Sequence, residues 1–129
     1  MADTGVVFGK PETRSVKIDT NLTDKEYFLV TMDTTDEHVV NLAAAATSVL
    51  FVLTEGANGS ASDVKQGTIV TGGYTKVKLG GTVLAGGKIT ADSNGKGVAA
   101  TTGNNVACIA LANGVDGDII PVVVDQAIA

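Results

Sequence analysis

GYTKVKLGGTVLAGGKITADSNGKGVAA, residues 73–100, alternates short β-branched runs with glycine turns and places no reactive side chain on any of them. Within residues 74–79, Thr75, Val77 and Leu79 are expected to face inward while Tyr74, Lys76 and Lys78 face out, as in a half-buried strand. Asn94-Gly95 lies between two such runs and predicts a type I′ hairpin turn, with both residues at positive φ. The following stretch, NNVACIALANGVDGDIIPVVV at residues 104–124, keeps the same grammar, with strands around Ile109 and Val122 joined through Asp116-Gly117-Asp118. Residues 119–124 are apolar on both faces and contain Pro121, which cannot donate a ladder hydrogen bond. They predict an edge strand that a neighbouring subunit covers, which makes Ile119, Pro121 and Val123 candidates for oligomer contacts.

Working outward, residues 15–19 alternate in strand fashion, 21–24 make a turn, and 26–32 form a second strand candidate. Residues 39–53 mix the helix-favouring Ala43–Ala46 with β-branched ends and are read as strand, tight bend, strand. A glycine- and serine-rich loop at 55–62, expected to be exposed and mobile, leads to strands near 64–65, 67–70 and 74–79. Strand spacing of roughly 8–12 residues favours a small all-β barrel or sandwich over βα units. The segments starting at Val49 and Val106 each run a small-residue strand into a glycine loop, a hint of two related β units. Residues 1–14 read as an N-terminal arm, punctuated by Gly5, Gly9 and Pro11, with Val6, Val7 and Phe8 as its apolar anchors; residues 15–129 read as one β domain.

The chain has 129 residues, no Trp, three Phe and two Tyr, so a single domain must fill its core with small side chains. Such a thin core must offset roughly 1–2 kcal/mol of backbone entropy per ordered residue, and self-association is the natural source of extra burial. The net charge is −5, and the sole basic cluster is Lys76 with Lys78, which argues against nucleic-acid binding. Asp24, Glu26, Asp33, Asp36 and Glu37 meet only Lys25 within their stretch and read as a solvated surface. Residues 1–10 lack the basic start and apolar run of a signal peptide, so synthesis in the cytosol is expected. Residues 39–53 are too short for a bilayer, which needs about 20 residues. Asn21 and Asn58 head sequons that mean little without secretion.

Chemistry is scarce. His38 is the lone histidine and Cys108 the lone cysteine, so no zinc set and no intrachain disulfide can form. Cys108 lies between Ala107 and Ile109 and reads as a small buried hydrophobe. Asp92, Asn94 and Gly97 invite comparison with a calcium loop, but the twelfth position falls on Gly103 in place of a bidentate Glu. Residues 80–87, GGTVLAGG, lack both the P-loop and the dinucleotide spacing. No catalytic residue, metal or cofactor is expected, and the chain is not read as an enzyme.

Taken in order, GGTVLAGGKIT, ADSNGKG, VAATTG, ACIAL and GDIIPVVV resemble the bacteriophage capsid cement proteins, also called head decoration proteins, over about residues 49–124. Lys88 departs from the acidic residue that often follows the glycines in that family. The resemblance implies a β-tulip-like barrel and a homotrimer. Its partner would be the phage major capsid protein, bound on the outer surface of the virion head, with neither nucleic acid nor membrane engaged. Val6, Val7 and Phe8 are then capsid-contact candidates. Two other classes are weighed: a receptor- or surface-binding β module of a phage tail or fibre, using the 55–62 loop, and a carrier domain displaying Lys96 at a hairpin tip.

Overall fold

The computed structural model describes residues 11–44 and 50–128, all of them in strands, turns or irregular backbone. Among the described residues nine strands follow in order: β1 (Pro11–Ile18), β2 (Leu29–Met32), β3 (Val40–Leu42), β4 (Leu50–Glu55), β5 (Lys65–Lys78), β6 (Lys88–Ala91), β7 (Gly97–Ala99), β8 (Asn105–Ala110) and β9 (Ile119–Ile128). They form one sheet of order β3-β2-β4-β5-β9-β8-β6-β7, with β1 on β5, and every named pairing is antiparallel. The fold is therefore all-β, as the glycine-punctuated pattern requires. The sheet curls back on itself: the tip of the β6–β7 hairpin reaches the start of β2, where Leu29 N–H donates to the Gly95 carbonyl at 2.7 Å.

The spine is β5. Three separate strand candidates merge there into one 14-residue strand that bends where an extra residue opens its register with β1 between Val70 and Gly72. Below the bend β5 carries β1 and β4; above it, it carries β9. Gly73 pairs with both Pro11 and Val124, so β1 and β9 flank β5 on opposite edges there. Pro11, Glu12, Thr13 and Arg14, grouped with the arm in the sequence reading, belong to β1. Val6, Val7 and Phe8 lie outside the described residues, as does the bend at 45–49.

Alternation puts a core on each face of the β2–β4–β5 region. Leu29, Leu50, Val52 and Val70 join Val77, Leu79, Ile89, Cys108, Ile120 and Val122 in the larger core. Their sequence neighbours Val30, Leu53 and Ile69 turn the other way, into a smaller core closed by Val16 and Ile18 of β1, Leu22 and Val40. Small side chains suffice because the apolar volume is divided between these two layers.

The placement of β9 corrects the edge-strand expectation. It is an interior strand between β5 and β8. Pro121 sits opposite Lys76, and its carbonyl accepts from Leu111 N–H at 3.0 Å, so its backbone points away from β5 toward the end of β8. The ladder of β8 stops with Ala110 opposite Val122, so the N–H that proline lacks falls just past the last β8 pair. A proline is tolerated inside the sheet because its neighbour ends there.

Candidate interaction surface

The loops β5–β6 and β8–β9 clasp one another. Val83 and Gly114 exchange both backbone hydrogen bonds, each at 2.9 Å. Around that pair the backbone bonds fall into matching pairs. Gly86 N–H donates to the Ala110 carbonyl at 2.7 Å, and Gly117 N–H to that of Leu79 at 2.9 Å. Ala110 N–H donates to the Gly87 carbonyl at 2.9 Å, and Leu79 N–H to that of Asp118 at 2.8 Å. Each turn then closes on itself, Gly87 N–H to Leu84 and Asp118 N–H to Val115. The offset between partners is constant, from Leu79 to Ala110, Val83 to Gly114 and Leu84 to Val115, so the clasp is a local two-fold repeat. Gly86 and Gly117 occupy matching places at φ of 83° and 89°, where a Cβ would be strained. This repeat is distinct from the echo read between the segments starting at Val49 and Val106.

The clasp determines which apolar side chains are left out. Leu84 is 66% exposed and Val115 54% exposed at equivalent turn positions, with Leu111 at 47% nearby in the same loop pair. Two side-chain bonds stiffen this end: Asn113 Oδ1 accepts Ala85 N–H at 2.8 Å, and Asp118 Oδ2 accepts Val115 N–H at 3.0 Å. The result is a pre-organised tip bearing exposed aliphatic groups, a feature that marks interaction surfaces more than catalytic ones. None of these three residues was singled out from the sequence. The repeated hydrophobic residue two places before a turn glycine, Leu84 before Gly86 and Val115 before Gly117, was the signal available.

On the outer face of β5 and β9, Tyr74 lies across from Val123, Lys76 from Pro121 and Lys78 from Ile119. Of the oligomer-contact candidates, Ile119 and Val123 are half-buried and Pro121 is buried within one copy, while Ile120, Val122 and Val124 point into the larger core. Thr75, Val77 and Leu79 are buried and Tyr74 is exposed, as the alternation of this strand requires.

The remaining candidates resolve into structural roles. His38 is exposed at φ 65°, its Nδ1 2.7 Å from Arg14 Nη2 and its carbonyl accepting Lys17 N–H at 2.7 Å. Cys108 is fully buried in the larger core, where burial pushes the thiol up and suppresses the thiolate. Asp92 acts as a turn cap: its Oδ1 accepts Asn94 N–H at 2.8 Å and Lys96 N–H at 2.9 Å. Only Gly95 of the Asn94-Gly95 pair has positive φ, at 78°, which corrects the type I′ expectation. Gly95 N–H donates to the Asp92 carbonyl at 3.3 Å, the turn followed by a left-handed glycine that a three-residue hairpin uses. The 55–62 loop is pinned: Leu22 N–H donates to Ala57 and Gly59 N–H to Thr20, at 2.8 and 3.0 Å. A Cβ on Gly56 or Gly59 would overlap the Leu22 or Ile18 carbonyl, so these glycines are what lets the loop dock. Among the described residues no group of three or more His, Cys, Asp and Glu side chains could hold a metal ion. No described helix is long and apolar enough to cross a membrane.

No family model matches the chain, and no curated protein matches it. Among solved structures it is similar to one described as the crystal structure of head fiber gp8.5 N base in bacteriophage phi29. The two superpose with a TM-score of 0.70 at 16% sequence identity, over 96% of this chain and 98% of that one. The likeness is one of fold, and it extends over nearly the whole of both chains.

Proposed function

We propose that this chain is a non-enzymatic structural protein of a phage head, a cement or decoration protein that binds the outer capsid surface and bridges major capsid protein subunits. The observation that carries the reading is the end-to-end similarity of fold to the phi29 head fibre base. The stiff clasp with Leu84, Leu111 and Val115 exposed supports it, because a rigid apolar tip loses little entropy on docking. Val6, Val7 and Phe8 of the arm are the second proposed capsid contact, and self-association into a trimer through the half-buried Ile119 and Val123 on the outer face of β9 is the proposed quaternary state. Many weak copies on one shell gain strength through multivalency.

A second reading has specific support, since the similar structure is itself the base of a fibre: the chain would anchor a surface-binding fibre or tail module instead of cementing capsomers. Co-sedimentation of the purified protein with heads that lack it separates the two. Saturation at a stoichiometry matching the capsid lattice supports the cement reading. Binding at one or a few sites per particle supports the fibre-base reading, and no binding to heads contradicts the cement reading and leaves only the tail module.

A further inference from the structure

We propose a head-to-tail contact between copies, in which Lys25 and Lys78 around Phe28 of one copy enter an acidic groove formed by Asp19, Asp36 and Glu37 of the next. The inference rests on the self-association reading above and gives it a polarity and a chemistry. It begins at Phe28, a residue 5% exposed whose ring carries two ammonium groups, Lys25 Nζ at 4.8 Å and Lys78 Nζ at 5.6 Å from its centroid. Both lysines are held by backbone. Phe28 N–H donates to the Lys25 carbonyl at 3.1 Å, and Lys78 N–H to the Tyr27 carbonyl at 2.9 Å. Tyr27 between them has φ 69°, an unusual conformation for a bulky residue, fixed on its other side by a 2.6 Å bond to the Leu53 carbonyl.

A ring face attracts one cation weakly and cannot neutralise two. Neither Lys25 nor Lys78 forms an ion pair with another described residue, although the chain carries a net charge of −5. Two uncompensated ammonium groups held over one ring therefore form a site for carboxylates.

The complement is on the same molecule. Asp36 and Glu37 are exposed, make no ion pair with a described residue, and line a groove of about 340 Å³ with Asp19, Lys17 and Val64. Their loop is rigid, because Asp33 Oδ1 accepts the Thr35 and Asp36 N–H groups at 2.8 and 3.1 Å while Oδ2 accepts Asn41 Nδ2 at 2.9 Å. Val64, 48% exposed, offers the lysine stems an apolar wall.

Phe28 immediately precedes β2 and Asp33 immediately follows it. The two charged sites thus stand toward opposite ends of one strand, whose flanking residues are roughly 17 Å apart at about 3.3 Å per residue, and a single copy cannot bring them together. Successive copies can. A contact between two different patches is heterologous, and it closes into a ring when the rotation per step allows.

The test is sedimentation equilibrium of the full chain in low and high salt, with circular dichroism as a check on folding. The wild type should associate, and the variants Lys25→Glu/Lys78→Glu and Asp36→Lys/Glu37→Lys should each weaken association at least about tenfold. The quadruple variant that reverses both sites in one chain should recover association, and an equimolar mixture of the two doubles should recover pairwise or open assemblies only, because alternating copies cannot close a ring of three. Double variants that associate as tightly as the wild type overturn the contact while leaving self-association standing. Loss in the doubles without recovery in the quadruple variant also overturns it. A wild type that stays monomeric removes the self-association reading itself.

Discussion

Replacing Gly114 with alanine tests the clasp. A Cβ built at Gly114 stands 2.7 Å from Ile120 Cγ2 and 2.7 Å from Leu79 Cδ1, with Asp118 Cβ at 3.5 Å. Ile120 and Leu79 are both 0% exposed, so neither can swing into solvent to make room. Added volume in a packed core costs about 1–3 kcal/mol. For a domain of this size each kcal/mol moves Tm by roughly 3–6 °C, so Gly114→Ala should lower Tm by on the order of 5–15 °C. Gly81→Ala is the matched control, because the nearest atom to its built Cβ is Val98 Cγ1 at 3.5 Å, an ordinary contact. That change should stay within about 0.5 kcal/mol of wild type. Calorimetry of all three proteins at one protomer concentration decides the matter, since association would make Tm concentration-dependent. A Gly114→Ala protein that melts with the wild type, or a Gly81→Ala protein that loses as much, would refute the packing argument.

Leu84→Asp combined with Val115→Asp should leave the melting temperature nearly unchanged, because both side chains are already exposed, yet reduce binding to cement-free heads at least about tenfold. Equal co-sedimentation of the variant and wild type would remove the clasp tip from the interface. Hydrogen bonds from Asn41, Thr35 and Asp36 hold the Asp33 carboxyl well below the usual carboxylate range. A depressed folded value contributes stability above the unfolded pKa that is lost as pH falls through the folded one. The Thr35 and Asp36 amide resonances should therefore persist to about pH 3, and a midpoint near the ordinary aspartate value of about 3.9 would contradict this. Cys108 is fully buried, so a thiol-reactive aromatic disulfide should label it only after unfolding; rapid labelling of native protein would show that β8 opens locally.

The strands were legible wherever alternation was local. Residues 74–79 carry their burial pattern in the sequence, and Thr75, Val77 and Leu79 turn inward as expected, whereas residues 119–124, apolar on both faces, read as a strand but not as an interior one. What could not be read was which strand lies beside which. Pro121 looked like an edge residue because a lost N–H is costly only if a neighbour is present to miss it, and sequence does not reveal that β8 ends at Ala110. Asn94-Gly95 looked like a type I′ turn because Asp92, two residues earlier, gave no sign that its carboxylate would cap the loop. Gly56 and Gly59 read as flexible linker residues, whereas their lack of a Cβ is what lets the loop dock against Ile18 and Leu22. The clasp was harder still, since its two halves share turn geometry and little identity, with Val83 matched to Gly114 and Leu79 to Ala110.

Reconstruction of the intact virion by electron cryomicroscopy, at a resolution that traces side chains, tests the central claim most directly. The account predicts density for this chain in many symmetry-related copies on the outside of the head, with Leu84, Leu111 and Val115 or residues 6–8 against major capsid protein. Density confined to the tail, or to a structure inside the shell, would contradict it.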